Sequence, residues 1–136
     1  MSDTMLVKGT SDETHRIGDL HMAPGFGLVP GVIIDQHFAE RGRIGRLLGA
    51  VAQNPRVLGI GIDEDTAIEV RGTVFTVIGA GAVTIVDGAG VTRSNIAEAR
   101  PELTLSMHDV RLHVLSAGDR FDLGERRPCQ PEEGAK

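Results

Sequence analysis

Tryptophan and tyrosine are missing altogether, and four phenylalanines bring the aromatic content to only 3%. A stacking platform for single-stranded nucleic acid is therefore poorly supplied. Positive charge is also short. Fourteen Lys and Arg against 19 Asp and Glu leave a net charge of −5, which argues against general binding to a phosphate backbone. The single cysteine, Cys129, excludes an internal disulfide framework and a CxxC metal motif. No apolar run approaches the roughly 20 residues that cross a bilayer. The opening Met1-Ser2-Asp3-Thr4 lacks the basic region and apolar stretch of a secretory signal. The expectation is a cytoplasmic α/β protein with neither nucleic acid nor membrane as partner.

What is present fits that class. A length of 136 residues suits one domain and hardly two. Contents of 40% hydrophobic and 24% charged residues match an average soluble globular chain. Eighteen glycines are an excess that points to tight turns and close backbone approaches. The domain is expected over residues 1–125, with 126–136 a polar, disordered tail.

Met1 to Val7 reads as the end of an element and Lys8 to Gly18 as a surface loop. Met22 to Gly27 reads as a connector and Pro30-Gly31 as a turn. Val32-Ile33-Ile34 is a β-branched run expected as a buried strand, and it leads into Asp35-Gln36-His37. Phe38 to Gln53 carries Ile44, Leu47, Leu48 and Val51 at helical spacing with arginines on the other face, and Asn54-Pro55 stops it. Val57 to Ile62 is a second buried strand, ending in Asp63-Glu64-Asp65. Thr66 to Val70 and Thr73 to Ile78 form a hairpin around Arg71-Gly72, followed by strands at Val83 to Val86 and Val110 to Ser116.

The strand–helix–strand unit from Val32 to Ile62 implies two parallel strands joined by a crossover. Ligands gather at the carboxyl ends of such strands, and both strands place polar residues there. A histidine and a carboxylate on adjacent strand ends suit a general base and the group that fixes its tautomer. Acidic residues after a strand also serve simply as caps, with a solvated histidine nearby. Arg41, Arg43 and Arg46, interleaved with Gly42 and Gly45, suit bidentate binding of carboxylates or form a solvated helix face.

The remaining candidates are weaker. His15, His21, His37 and Glu64 have no helical metal-ligand spacing. Gly79-Ala80-Gly81-Ala82 leads into β-branched residues rather than a helix and reads as turns. His108 and His113, an odd number of positions apart, are placed on opposite faces of one strand and read as structural. No serine lies in a strand–GxS–helix elbow, so the base and its orienter have no nucleophile to activate.

The segments PGVIIDQHFAERGRIGRL (Pro30 to Leu47) and LGIGIDEDTAI (Leu58 to Ile68) closely resemble cyanophycinase, as do SDTM at Ser2 to Met5 and HMAPGFGL at His21 to Leu28. The resemblance runs from the first residue to about Asp122. It implies a serine exopeptidase that cuts cyanophycin, a poly-aspartate bearing arginine side groups, into β-Asp-Arg dipeptides. It also implies an α/β fold, a parallel-sheet sandwich of the dipeptidase E and class I glutamine amidotransferase type, here as its C-terminal half with additional β-hairpin strands. No metal or organic cofactor is implied, and the complete protein is expected to be a homodimer.

By this resemblance the family's Ser–His–Glu triad places its His on His37 and its Glu on Glu64. The substrate pocket falls on Asp35, Gln36, Arg43 and Arg46, with Arg41 nearby. The nucleophilic serine belongs to a GTSAGA-type elbow just before the family's MSDTM-like segment. This chain is therefore expected to begin after it, within the helix the elbow leads into, and to expose a sheet face or edge that the missing N-terminal half would cover. That half is expected upstream in the same gene or on a separate chain. Three readings remain open: the His/Glu-bearing half of a cyanophycin peptidase, inactive alone; a non-catalytic relic or module that binds cyanophycin; and a related dipeptidase specific for aspartyl peptides.

Overall fold

A computed structural model describes residues 2–9, 20–24, 29–36, 44–98 and 104–130. Strands β1 (Ser2–Gly9), β2 (Leu20–Pro24) and β3 (Val29–Gln36) are followed by the helix α1 (Ile44–Gln53) and β4 (Leu58–Ile62). A hairpin follows, β5 (Thr66–Arg71) and β6 (Val74–Gly79), then β7 (Val83–Asp87) and the two-residue β8 (Arg93–Ser94) and β9 (Met107–His108). The last strands are β10 (Arg111–Leu115), β11 (Arg120–Asp122) and β12 (Arg127–Pro128).

The larger sheet has the order β10-β7-β4-β3-β1-β2. β3 runs parallel to β4 across α1, as the apolar strand–helix–strand pattern predicts, and β1 is parallel to β3. The flanking pairs β1–β2, β4–β7 and β7–β10 are antiparallel. The architecture is α/β, but the sheet is mixed rather than wholly parallel. A second sheet has the order β12-β11-β6-β5.

Strand alternation gives the larger sheet two working faces. Ile33 and Val86 pack with Leu47, Ala50 and Val51 of α1. The opposite face, with Val32, Leu58, Ile60, Ile62, Val83, Ile85 and Leu115, packs against Phe75, Val77 and Phe121 of the second sheet. Phe75 and Phe121 stack with ring centroids 5.6 Å apart at the centre of this layer. At the β10 edge, Leu112 and Val114 remain 51% and 66% exposed.

Several expectations change. The chain start is a strand, not the continuation of a helix, because the SDTMLVKG segment finds partners in both β2 and β3. The expected connector at Met22 to Gly27 contributes its first residues to β2. Pro30-Gly31 lies inside β3, where Gly31 adopts φ +76° and the register against β1 shifts between Ser2 and Thr4, an irregularity rather than a chain reversal. The region expected as a tail from 126 onward begins with β12, paired to β11. His108 and His113 belong to different strands, so alternation along one strand does not relate them. Among the described residues, no helix is long and apolar enough to cross a membrane.

α1 closes tightly on the sheet because Gly59 faces it. A Cβ built at Gly59 would stand 2.7 Å from Val51 Cγ2 and 2.9 Å from Leu47 Cδ1. Gly59→Val should therefore force the helix outward and cost about 1–3 kcal/mol, read as a lowered urea midpoint with an unchanged slope. An unchanged midpoint would show that the helix does not seat on this glycine.

Candidate active site

The parallel register sets β3 and β4 side by side with a common end, Gln36 opposite Ile62. β3 therefore ends beside the point where Asp63-Glu64-Asp65 leaves β4. His37, Arg41 and Arg43 themselves lie outside the described residues, as does the first part of the helix expected from Phe38. Asp35, Gln36, Arg46 and Glu64 are described.

Asp35 sits on the helix side of β3 and is only 1% exposed. A buried carboxylate needs a partner, and Arg46, in the first turn of α1, supplies it. Arg46 Nε donates to Asp35 Oδ2 at 2.8 Å, and Arg46 Nη2 donates to Asp35 Oδ1. The Arg46 side chain is itself only 10% exposed. This fork matches the planar guanidinium to both carboxylate oxygens. The resemblance assigns both residues to the substrate pocket, and the structure brings them together as a pair that ties the end of β3 to α1. Gln36, the next residue, is exposed.

On the β4 side, Glu64 is exposed within a turn whose next residue, Asp65, adopts φ +54°. The turn is stapled to the β6–β7 connection. Asp63 N donates to Ala82 O at 3.1 Å, Ala82 N donates to Asp63 Oδ2 at 2.9 Å, and Ala80 N donates to Asp65 O at 3.1 Å. Thr66 Oγ1 accepts from Gly81 N at 2.9 Å and donates to the Glu64 carbonyl at 3.0 Å.

The glycines of Gly79-Ala80-Gly81-Ala82 make that closeness possible. At Gly79, φ is +115° and a Cβ would lie 2.2 Å from Asp65 O. A Cβ at Gly81 would lie 2.6 Å from Thr66 Oγ1 and 2.7 Å from Asp63 Cβ. Sequence reasoning reads this stretch as turns, which it is, but misses its role as the support that holds the acidic turn. Asp63 and Thr66, the anchoring side chains, are equally absent from the sequence-based site. Tight glycine spacing directly before a strand is the signal they share.

No group of three or more His, Cys, Asp or Glu suited to a metal occurs among the described residues. His113 packs against Phe121 with centroids 5.5 Å apart, beneath the second sheet. The strand ends carry carboxylates from two elements, with one arginine already neutralised. Such an arrangement can position a proton-transfer group between fixed neighbours.

Breaking the pair tests how much of the site it holds. Arg46→Ala leaves the Asp35 carboxylate buried without its fork, and stability should fall by about 3–5 kcal/mol, measured by urea unfolding. Arg46→Lys keeps the charge but loses the fork and should fall between the two. A loss below about 0.5 kcal/mol in Arg46→Ala would show that the pair is not structural.

No protein-family model matches the chain. Curated proteins do. The chain is 48% identical over 127 residues to the cyanophycinase of Trichormus variabilis, covering 93% of this chain and 43% of that protein. It is 43% identical over 135 residues to the cyanophycinase of Geminocystis herdmanii, covering 98% of this chain and 48% of that protein. It is 41% identical over 125 residues to the cyanophycinase of Thermosynechococcus vestitus, covering 90% and 38% respectively. The chain thus spans somewhat under half the length of the curated relatives it matches. By sequence, then, it is a part-length relative of the cyanophycinases.

Proposed function

We propose that this chain forms the base-bearing and substrate-recognising part of a serine-type peptidase that degrades cyanophycin to β-Asp-Arg dipeptides. It corresponds to the C-terminal half of a single domain of glutamine amidotransferase-like type, over residues 1–125. The nucleophilic serine would come from sequence outside this chain, and the chain alone would be inactive. The observation that carries the reading is the parallel end-to-end register of β3 and β4, with Gln36 opposite Ile62. It sets the ends of the two strands side by side, which supports a base following one strand and its orienter following the other.

In this mechanism His37 takes the proton from the serine hydroxyl as it attacks the peptide carbonyl, then returns it to the leaving amine. Glu64 holds the imidazole in the needed tautomer and stabilises its cationic form. Asp35, Gln36, Arg41, Arg43 and Arg46 form the substrate pocket, the arginines pairing with carboxylates of the aspartate backbone. The mutual pair of Asp35 and Arg46 also holds α1 to the end of β3. The complete protein would work in the cytoplasm as a homodimer.

A chimera tests this reading. Residues 1–125 are joined in frame in place of the matching region of the Trichormus variabilis cyanophycinase, and β-Asp-Arg release from cyanophycin is followed. The chimera should release dipeptide, and its His37→Ala form should lose at least ~10²-fold in kcat. A folded chimera that pellets with the polymer yet releases nothing would overturn the reading, as would near-normal turnover by His37→Ala.

A further inference from the structure

Glu64 is exposed in the turn between β4 and β5, so burial does little to restrict its side chain. A carboxylate in such a place is directed by its backbone, because the Cα–Cβ bond and its staggered rotamers limit where the oxygens can reach. Whatever holds that backbone therefore decides which partner the carboxylate can meet.

Thr66, half-buried at the start of β5, grips it from one side. Its hydroxyl donates to the Glu64 carbonyl at 3.0 Å and accepts from Gly81 N at 2.9 Å. The first contact, taken alone, is an ordinary local turn. The second reaches fifteen positions along the chain to the connection between β6 and β7. It needs a glycine there, since a Cβ at position 81 would stand 2.6 Å from Thr66 Oγ1. One hydroxyl thus uses its donor and an acceptor lone pair to lock the Glu64 peptide onto a separate element. On the other side of Glu64, Asp63 N donates to Ala82 O at 3.1 Å and Asp63 Oδ2 accepts from Ala82 N at 2.9 Å. Glu64 is therefore flanked by two residues anchored on the same loop.

Between the two anchors, Asp65 adopts φ +54°, a left-handed conformation that persists only where its surroundings hold it. Releasing Thr66 lets this turn relax, and Glu64 turns with it. We propose that Thr66 is a positioning residue of the peptidase, its hydroxyl setting the direction of the Glu64 carboxylate and, through that, the orientation of the His37 base. The role rests on the peptidase reading of His37 and Glu64 given above and adds to it a residue that acts through Glu64. Loss of the hydroxyl should then lower kcat and leave KM nearly unchanged.

The test uses the chimera with the Trichormus variabilis cyanophycinase. Thr66→Val, which keeps the shape of threonine without its hydroxyl, should lower kcat about 10- to 100-fold with KM changed less than about twofold. Thr66→Ser should restore most of the rate. In a Glu64→Gln background, Thr66→Val should cost less than about twofold more, because residues acting as one unit are not additive. The proposal is overturned if Thr66→Val turns over normally, if Thr66→Ser recovers nothing, or if the loss is as large without the Glu64 carboxylate. An inactive parent chimera removes the peptidase reading and this role together, whereas an active one indifferent to Thr66→Val removes this role alone. Nitrogen relaxation of the 136-residue chain gives a readout that needs no activity. The Glu64 and Asp65 amides should be as ordered as those of β4, with order parameters of about 0.85, and should lose that order in Thr66→Val. A turn already mobile in the unsubstituted chain overturns the proposal even if no variant folds.

Discussion

The buried fork between Arg46 and Asp35 is the contact on which the strand-end site depends. The two residues stand eleven positions apart in sequence, one at the end of β3 and the other in α1. Joining two points that far apart along the chain carries an entropic cost of a few kcal/mol, which a buried, bidentate pair offsets. The pair also ties α1 to the sheet. Once its first turn is anchored at the end of β3, the stripe of Leu47, Ala50 and Val51 is delivered onto Ile33 and Val86.

Glycine then determines how close the layers come. Gly59 lets the helix settle on β4, and Gly79 and Gly81 let the β6–β7 connection press on the acidic turn. These are three positions where a methyl group would stand inside a neighbour's van der Waals radius. The excess of glycine noted in the composition is thus partly a packing device, used where separate elements approach β4 and its end. On one side of that end lies a carboxylate held by an arginine, on the other a turn held by backbone amides. Both are rigid supports of the kind that a proton-transfer group requires.

What could be read from residues alone follows the strength of local patterns. The β3–α1–β4 unit was legible because uninterrupted β-branched runs and a helical apolar stripe leave little choice of state, and the β5–β6 hairpin because Arg71-Gly72 separates two alternating runs. β1 and β2 were not, because SDTMLVKG and LHMAP are strands only through their pairing with each other and, for β1, with β3. β12 is similar: Arg127–Pro128 has no strand signal of its own and is ordered by β11. At the site, the positions of the acidic and basic residues were visible, but their partnerships were not. Nothing local says that Asp35 takes Arg46, or that Asp63 accepts from Ala82 nineteen residues on.

The stacked pair of Phe75 and Phe121 has an optical consequence. With no tryptophan or tyrosine, every aromatic signal of this chain comes from its four phenylalanines. Two of them meet at the centre of the interface between the sheets. Their weak near-ultraviolet dichroism, negligible for a ring tumbling in water, acquires sign and fine structure in such a fixed, asymmetric setting. The protein therefore carries its own label at that interface. Loosening of one sheet from the other would extinguish those bands while the far-ultraviolet strand signal persisted, separating loss of side-chain order from loss of backbone structure.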